Sequence, residues 1–429
     1  MSLARRSAVL FAAGTLLLAG CGSSGEGDGG TAAGGGGEKV TIEWWHIQNI
    51  EPMKPVWDAV AKEFEAAHPN VSIKITAMEN EAFKSKMTTV VQSGDMPDIY
   101  QTWGGGVLAQ HAEAGLAKDI TDDVASWSGN FTQAALAPYQ INGRLYAIPY
   151  DVGMVGFWYN KALFKKAGIE QPPATWGEFI DAVKKLKKAG ITPIALAGQA
   201  KWPGHYWWSY LAMRIGGGQS LKQAMEAKNF NTPDFIAAGQ KLKELVELEP
   251  FQNGFLGATY DGPTGQAATM GNGKAAMELM GQWAPTVQRD AGGDLGEDLG
   301  FFTFPAVEGG KGTATEALGG GGGFAVGKDA PPEAIEFLKY ISSPEVRKRV
   351  LETNAHLPVI KGEEQLVSDP NNRAVAEATA AATGFQLYLD QDFPPAVGEQ
   401  VNDSTAALIA GEKTPEQVVQ EITEVARQE

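Results

Sequence analysis

The chain has few residues that could bind a metal or act as a thiol nucleophile. Cys21 is the single cysteine among 429 residues, which excludes a disulfide framework and a cysteine cluster. The 5 histidines are scattered, and no His-Glu-x-x-His motif occurs. We therefore expect neither a metal site nor a cofactor.

Positive charge is also scarce. The sequence has 35 Lys and Arg residues against 51 Asp and Glu residues, a net charge of −16. This balance disfavours nucleic acid and anionic membrane surfaces as partners. The glycine-rich phosphate-binding loop with its lysine and the Gly-x-Ser-x-Gly motif are missing, as is any tandem repeat.

The N-terminal apolar run, residues 8–19, is too short to cross a bilayer. It follows Arg5 and Arg6 and ends in Leu-Ala-Gly-Cys, which looks like a bacterial lipobox. We predict a signal peptide over residues 1–20 and lipidation at Cys21. Residues 21–37 are mostly small and are predicted to form a flexible tether. The export route, general secretion or twin-arginine, stays open.

Beyond the tether, strand and helix patterns alternate. Residues 40–46, 71–75 and 98–103 read as strands, separated by a helix over 52–68 and another helix that Asn80 can cap. The order β-α-β-α-β predicts a parallel sheet. Because ligands bind beyond the carboxyl ends of such strands, His46, Glu79, Asn80 and Trp103 are candidate binding residues.

Residues 142–160 are predicted to connect two α/β units. Asn142-Gly143 suits a tight hairpin turn, and Asp151 follows at the seam, on the floor of a cleft. The five-glycine run 319–323 indicates close backbone approach or a hinge, which makes Gly321 and Gly322 candidate residues of the cleft. The chain length independently favours two domains.

The 11 tryptophans suggest a sugar ligand by their positions. Sugar rings stack on aromatic faces, and their hydroxyls need carboxylate or amide partners. Trp103, Trp283 and either Trp207 or Trp208 stand where a cleft would lie, whereas Trp57 on an apolar helix face is expected in the core. Gln282, which precedes Trp283, is a further candidate.

Two carboxylates allow two interpretations. Asp151 and Asp390 could form the acid pair of a glycoside hydrolase, or each could accept hydrogen bonds from ligand hydroxyls. No feature of the sequence marks either acid as having a raised pKa, so we favour binding over catalysis.

Five sequence blocks in order then resemble one family. They are the lipobox, the blocks 148–151 with 158–164, 173–179 and 276–283, and Gly322-Gly323-Phe324-Ala325-Val326. The chain resembles extracellular solute-binding lipoproteins of carbohydrate ABC importers, related to maltose-binding protein. The ending 385–403 resembles binders of xylobiose or raffinose.

The resemblance implies a two-lobed α/β fold of the type II periplasmic-binding-protein kind. Each lobe would be a mixed or parallel sheet flanked by helices, with a hinge of crossing segments. The implied lobes are 38–150 with 317–365, and 151–316 with 366–429. The implied function is capture of a neutral di- to tetrasaccharide for an ABC permease by a lipid-anchored, extracytoplasmic protein that is not an enzyme.

The resemblance also assigns residues. It implies that Trp283 stacks on the sugar and that Asp151, Asp390 and Gln391 bond its hydroxyls. We expect a monomer with no nucleic-acid partner. A secreted glycosidase, or the same fold binding a polyol, peptide or polyamine, remains the alternative.

Overall fold

The computed structural model describes residues 39–429, so the predicted signal peptide, Cys21 and the tether lie outside it. Within this range the strands are β1 (Val40–His46), β2 (Val71–Ala77), β3 (Ile99–Thr102), β4 (Gln140–Ile141), β5 (Arg144–Leu145), β6 (Ala147–Pro149), β7 (Gly153–Met154), β8 (Gly156–Asn160), β9 (Thr192–Ile194), β10 (Ala275–Met280), β11 (Leu299–Phe302), β12 (Glu316–Gly320), β13 (Gly323–Val326) and β14 (Gly384–Leu387).

The helices of the same range alternate with these strands. They are α1 (Met53–Ala67), α2 (Asn80–Ser93), α3 (Gly105–Glu113), α4 (Thr121–Ser128), α5 (Gln133–Leu136), α6 (Lys161–Lys166), α7 (Trp176–Lys188), α8 (Trp202–Gly216), α9 (Ser220–Glu226), α10 (Pro233–Val246), α11 (Gln266–Gly271), α12 (Ala284–Asp290), α13 (Pro332–Ile341), α14 (Pro344–Glu352), α15 (Pro370–Ala380), α16 (Leu389–Asp392), α17 (Pro395–Ile409) and α18 (Pro415–Ala426). Across 39–429, no helix has both the length and the apolar character required to cross a membrane.

The first sheet has the strand order β2-β1-β3-β13-β6. Strands β2, β1 and β3 are parallel, as the β-α-β-α-β pattern predicts, and β13 runs antiparallel to β3 and β6. In β1 the alternating residues Ile42, Trp44 and His46 are all buried. The Trp44 ring lies edge-on against Trp57 at 5.6 Å, and Trp57 is fully buried, as predicted.

The second sheet has the order β11-β8-β10-β9, with β8 antiparallel to both neighbours and β10 parallel to β9. Helix α7 begins with the capping box predicted from sequence: Thr175 accepts a hydrogen bond from the N–H of Glu178, and the Glu178 carboxylate accepts from the N–H of Thr175. A smaller sheet has the order β14-β12-β7.

Two hydrophobic cores divide the described chain. The first draws on residues 42–150 and 324–359, and the second on 154–318 and 357–426. We call the elements around them the first and the second lobe. Strand residues Ala317 and Leu318 pack in the second core, although the predicted boundary assigns them to the first lobe. The chain passes between the cores near residues 150–154, 318–324 and 359–375, which we call the crossing segments.

The crossing segments are held together by close backbone contact and by one buried ion pair. A Cβ atom on Gly321 would lie 1.8 Å from the carbonyl oxygen of Asp151, so this position requires glycine. Arg347 and Glu363 pair at 2.9 Å, and the same guanidinium donates to the carbonyl oxygen of Tyr150 at 2.7 Å. Asn142 and Gly143 form the predicted hairpin turn between β4 and β5, both with positive φ.

Candidate ligand-binding cleft

A cavity of about 1120 Å³, counting the space at its open mouth, lies between the two cores. Both lobes and the crossing segments contribute to its walls. The predicted binding residues that line it are Asn80, Trp103, Asp151, Gln282, Trp283, Gly321, Gly322, Asp390 and Gln391. Residues from distant parts of the sequence are thus brought together around one space, which is where ligand sites usually lie.

The second lobe supplies an aromatic wall. Trp283 follows β10, and its ring folds back over Gly281, where a Cβ atom would lie 2.1 Å from the ring. The Trp158 indole N–H donates to the carbonyl oxygen of Gly281 at 3.0 Å and fixes this turn. The Trp283 ring lies 6.4 Å from that of Trp202 and 6.0 Å from that of Tyr388. The wall therefore offers several ring faces and edges to a ligand.

Asp151 lies where the lobes meet, as predicted. Its Oδ2 accepts a hydrogen bond from the side-chain amide of Gln282 at 2.7 Å, and its Oδ1 accepts from the backbone N–H of Leu357 at 2.7 Å. The Asp151 side chain is largely buried, and His356 Nδ1 lies 3.4 Å from Oδ2. Asp151 therefore orients Gln282 and the crossing segment besides facing the cavity.

Asp390 on the second lobe meets a cation from the first. Lys84 Nζ lies 3.6 Å from Asp390 Oδ2, and His205 Nε2 lies 3.5 Å from Oδ1. Burial raises the pKa of Asp390, but the Lys84 charge and the His205 contact outweigh it and hold the pKa well below its usual range. Asp390 is therefore an ionised hydrogen-bond acceptor. The ammonium group also lies 5.6 Å from the Trp103 ring and 5.9 Å from the Trp202 ring.

The first lobe contributes polar groups beside Trp103 and several apolar side chains. Gln48 and Asn49, beyond the end of β1, line the cavity together with Asn80. The Gln48 amide donates to the Tyr150 hydroxyl at 3.1 Å, and that hydroxyl donates to Gln101 at 2.7 Å. The strand-end position predicted for ligand contacts is therefore occupied by amides.

The prediction that Trp207 or Trp208 faces the ligand is wrong. Both side chains are fully buried in the second core, with the Trp207 ring 5.4 Å from Phe157. Helix α8 directs them away from the cleft, and Trp202 at its first turn lines the cavity instead.

Two first-lobe predictions also fail. His46 is 1% exposed because it shares the inward face of β1 with Trp44, and burial lowers its pKa to about 3. The carboxylate of Glu79 caps α2 by accepting from the N–H groups of Glu81 and Ala82 at 2.9 and 3.1 Å, a role predicted for Asn80. Neither His46 nor Glu79 lines the cavity.

The sequence predictions did not include several residues that line the cavity. They are Lys84, Trp202, Tyr206, Tyr260, His356 and Tyr388. For Trp202, the neighbouring Pro203 and Gly204 marked a helix start, where a side chain can reach a cleft. His356 and Tyr388 carry no local signal, since their positions depend on how the crossing segments pack.

The chain belongs to the bacterial extracellular solute-binding proteins. The model of that family matches residues 49–348, which is more than half of the sequence. The predicted family is thereby confirmed, and membership implies an extracytoplasmic location.

Similar proteins agree with this assignment. The multiple sugar-binding protein of Streptococcus mutans is 26% identical over 362 residues, covering 81% of this chain and 80% of that protein. The diacetylchitobiose binding protein of Streptomyces coelicolor is 27% identical over 375 residues, covering 86% and 84%. A solved structure from work on xylan utilization by Caldanaerobius polysaccharolyticus has a TM-score of 0.84 at 29% identity, covering 90% of this chain and 99% of that one. The predicted two-lobed type II fold is confirmed.

Proposed function

We propose that this protein captures a neutral oligosaccharide of two to four sugar units in the cleft and delivers it to an ABC permease. The observation that carries the proposal is the combination, in one cavity, of an aromatic wall with carboxylates and amides. Trp202 and Trp283 offer faces for the C–H surfaces of sugar rings, and Asp151, Asp390 and Gln391 offer acceptors and donors for hydroxyls. Similarity to proteins named for sugar binding supports the same ligand class.

Capture would proceed by closure of the two lobes. A sugar that contacts Trp283 on one lobe and Asn80 on the other binds the closed form more tightly than the open form, which is the condition for ligand-driven closure. The closed form would then present both lobes to the permease.

We further propose that a lipid on Cys21 holds the protein at the membrane, which mass spectrometry of the mature N-terminus would test.

The glycosidase alternative has less support. A general acid must hold a proton near neutral pH, which requires a raised carboxyl pKa. The pKa of Asp390 is instead lowered by Lys84 and His205 against the effect of burial. Asp151 is engaged by Gln282 and by the N–H of Leu357. Both carboxylates are arranged to accept hydrogen bonds.

A thermal-shift panel tests the function directly. The purified protein is heated with xylobiose, raffinose, diacetylchitobiose, mannitol, a tripeptide or spermidine. A ligand at 100 times its dissociation constant adds about 2.7 kcal/mol to stability, which gives a clear shift. We expect a shift with at least one oligosaccharide. A shift with only the polyol, the peptide or the polyamine, or release of monosaccharide during incubation, would contradict the proposal.

A further inference from the structure

Three polar side chains on the floor of the cleft carry atoms that no group of residues 39–429 satisfies. They are Oε1 of Gln282, both ring nitrogens of His356 and the hydroxyl of Tyr388. These residues are 2, 6 and 3% exposed, and all three line the cavity. Buried polar groups are normally hydrogen-bonded, so unpartnered atoms beside an open cavity point to a ligand.

Two of the three side chains lie against one carboxylate, and the charge of this carboxylate also acts on the third. Gln282 donates to Asp151 at 2.7 Å, and His356 Nδ1 lies 3.4 Å from the same oxygen. Burial and the nearby charge of Asp151 hold the pKa of Tyr388 well above its usual value, so its hydroxyl keeps its proton. The ring of Tyr388 also contacts that of Trp283. A sugar ring stacked on Trp283 therefore lies next to this group.

The unpartnered atoms differ in what they need. The hydrogen bond from the Gln282 amide nitrogen to Asp151 fixes the orientation of the amide, so the unpartnered atom is the oxygen Oε1, which accepts. The Tyr388 hydroxyl can donate, and a neutral imidazole donates from one nitrogen and accepts at the other. A carboxylate or phosphate only accepts and is repelled by Asp151, whereas an ammonium only donates. Hydroxyl groups do both.

We infer that Gln282, His356 and Tyr388 form a floor subsite that binds two neighbouring hydroxyls of one sugar ring, and that His356 and Tyr388 thereby determine specificity. This inference rests on the proposed function and names the part of the ligand that the floor recognises. A ring that lacks one of these hydroxyls leaves a buried polar atom unpaired and binds more weakly.

Tyr388→Phe separates this role from a structural one. No group of residues 39–429 bonds this hydroxyl, so its removal leaves the melting temperature of the ligand-free protein unchanged or raised. Affinity falls by about three- to tenfold, the effect of one lost hydrogen bond. Calorimetry measures it with whichever of xylobiose, diacetylchitobiose and raffinose the wild type binds most tightly. His356→Phe removes both ring nitrogens and gives a second test of the same kind.

Tyr210→Phe is the matched control. The Tyr210 hydroxyl is buried in the second core, accepts from the N–H of Leu318 at 3.1 Å and donates to the carbonyl of Val155. Its loss lowers the melting temperature and leaves sugar affinity unchanged. Wild-type affinity retained in both Tyr388→Phe and His356→Phe overturns the subsite alone. A wild type that binds none of the three sugars overturns the proposed function as well.

Discussion

The two lobes build their halves of the cleft from different chemistry. The second lobe presents rings, with Trp202, Tyr206 and Trp283 in contact or near contact along one wall. The first lobe presents Gln48, Asn49 and the ammonium group of Lys84 beside one tryptophan, Trp103. Stacking gains most of its free energy from one broad surface, whereas amides and charges add direction. We expect the second lobe to provide most of the affinity and the first to complete it on closure.

The lobes also differ in how each accommodates a buried glutamate. The buried Glu363 on the first-lobe side is paired with Arg347. Glu278 in β10 is fully buried and, within residues 39–429, accepts only from the side-chain amides of Gln266 and Gln288. Burial outweighs these two hydrogen bonds and raises the pKa of Glu278 from 4.5 to about 7. One lobe thus holds a compensated buried charge and the other an uncompensated carboxyl group.

The two largest expected effects come from the buried glutamates, and the first variant is Glu278→Gln. Because the folded protein keeps the Glu278 proton up to about pH 7 while the unfolded chain loses it near 4.5, stability falls as pH rises through this window. The shift corresponds to about 3 kcal/mol at 1.36 kcal/mol per pKa unit. Denaturant unfolding at pH 4.5 and 8 should show the wild type losing stability relative to the variant.

Glu363→Gln sharpens the comparison, since it leaves the Arg347 charge unpaired. We expect it to lower the free energy of unfolding at pH 7, by about 3 kcal/mol or more. If Glu278→Gln lowers the free energy of unfolding at pH 7 as much as Glu363→Gln does, the two lobes do not differ in how they accommodate a buried glutamate.

Next in size is the effect of Trp283→Ala on affinity. Removing the stacking surface weakens binding of the oligosaccharide found in the panel by about 1–3 kcal/mol, measured by calorimetry. Trp207→Phe is the control, because this core residue should affect stability and not binding. An affinity loss in Trp207→Phe matching that in Trp283→Ala would contradict the aromatic wall as the main source of affinity.

Lys84→Met should have the smallest effect. Its partly exposed contact with Asp390 joins the lobes, and such pairs contribute about 0.2–1 kcal/mol. We expect a loss of affinity of up to about fivefold that shrinks when salt is raised. Lys86→Met, which removes an ammonium lying over Trp45 within the first lobe, is the control and should bind as the wild type does. A loss that is independent of salt would assign Lys84 another role.

Features set by neighbouring residues could be predicted from the sequence, and features set by packing could not. The hairpin at Asn142-Gly143, the capping box at Thr175 and the parallel order of β2, β1 and β3 follow from local patterns. The position of Trp283 in the cleft could also be predicted, because Gly281 and the preceding strand mark a strand end.

The sequence does not distinguish Trp207 from the tryptophans that line the cleft. The direction of a side chain on a buried helix depends on what packs against that helix. The α8 sequence is buried over nearly its whole length, so it has no polar stripe to reveal which face meets the cleft. Tyr388 reaches the floor only because β14 pairs with β12 beside the crossing segments.

The bare backbone at Gly321 has a further consequence for motion. At its contact with Asp151, Gly321 has no side chain, and none would fit. When one lobe turns against the other, no side chain at position 321 has to move past Asp151. The resistance to opening therefore comes from the groups beside this contact, which include the Arg347–Glu363 pair and the Tyr150 ring packed on Gly322, and from whatever the cleft holds.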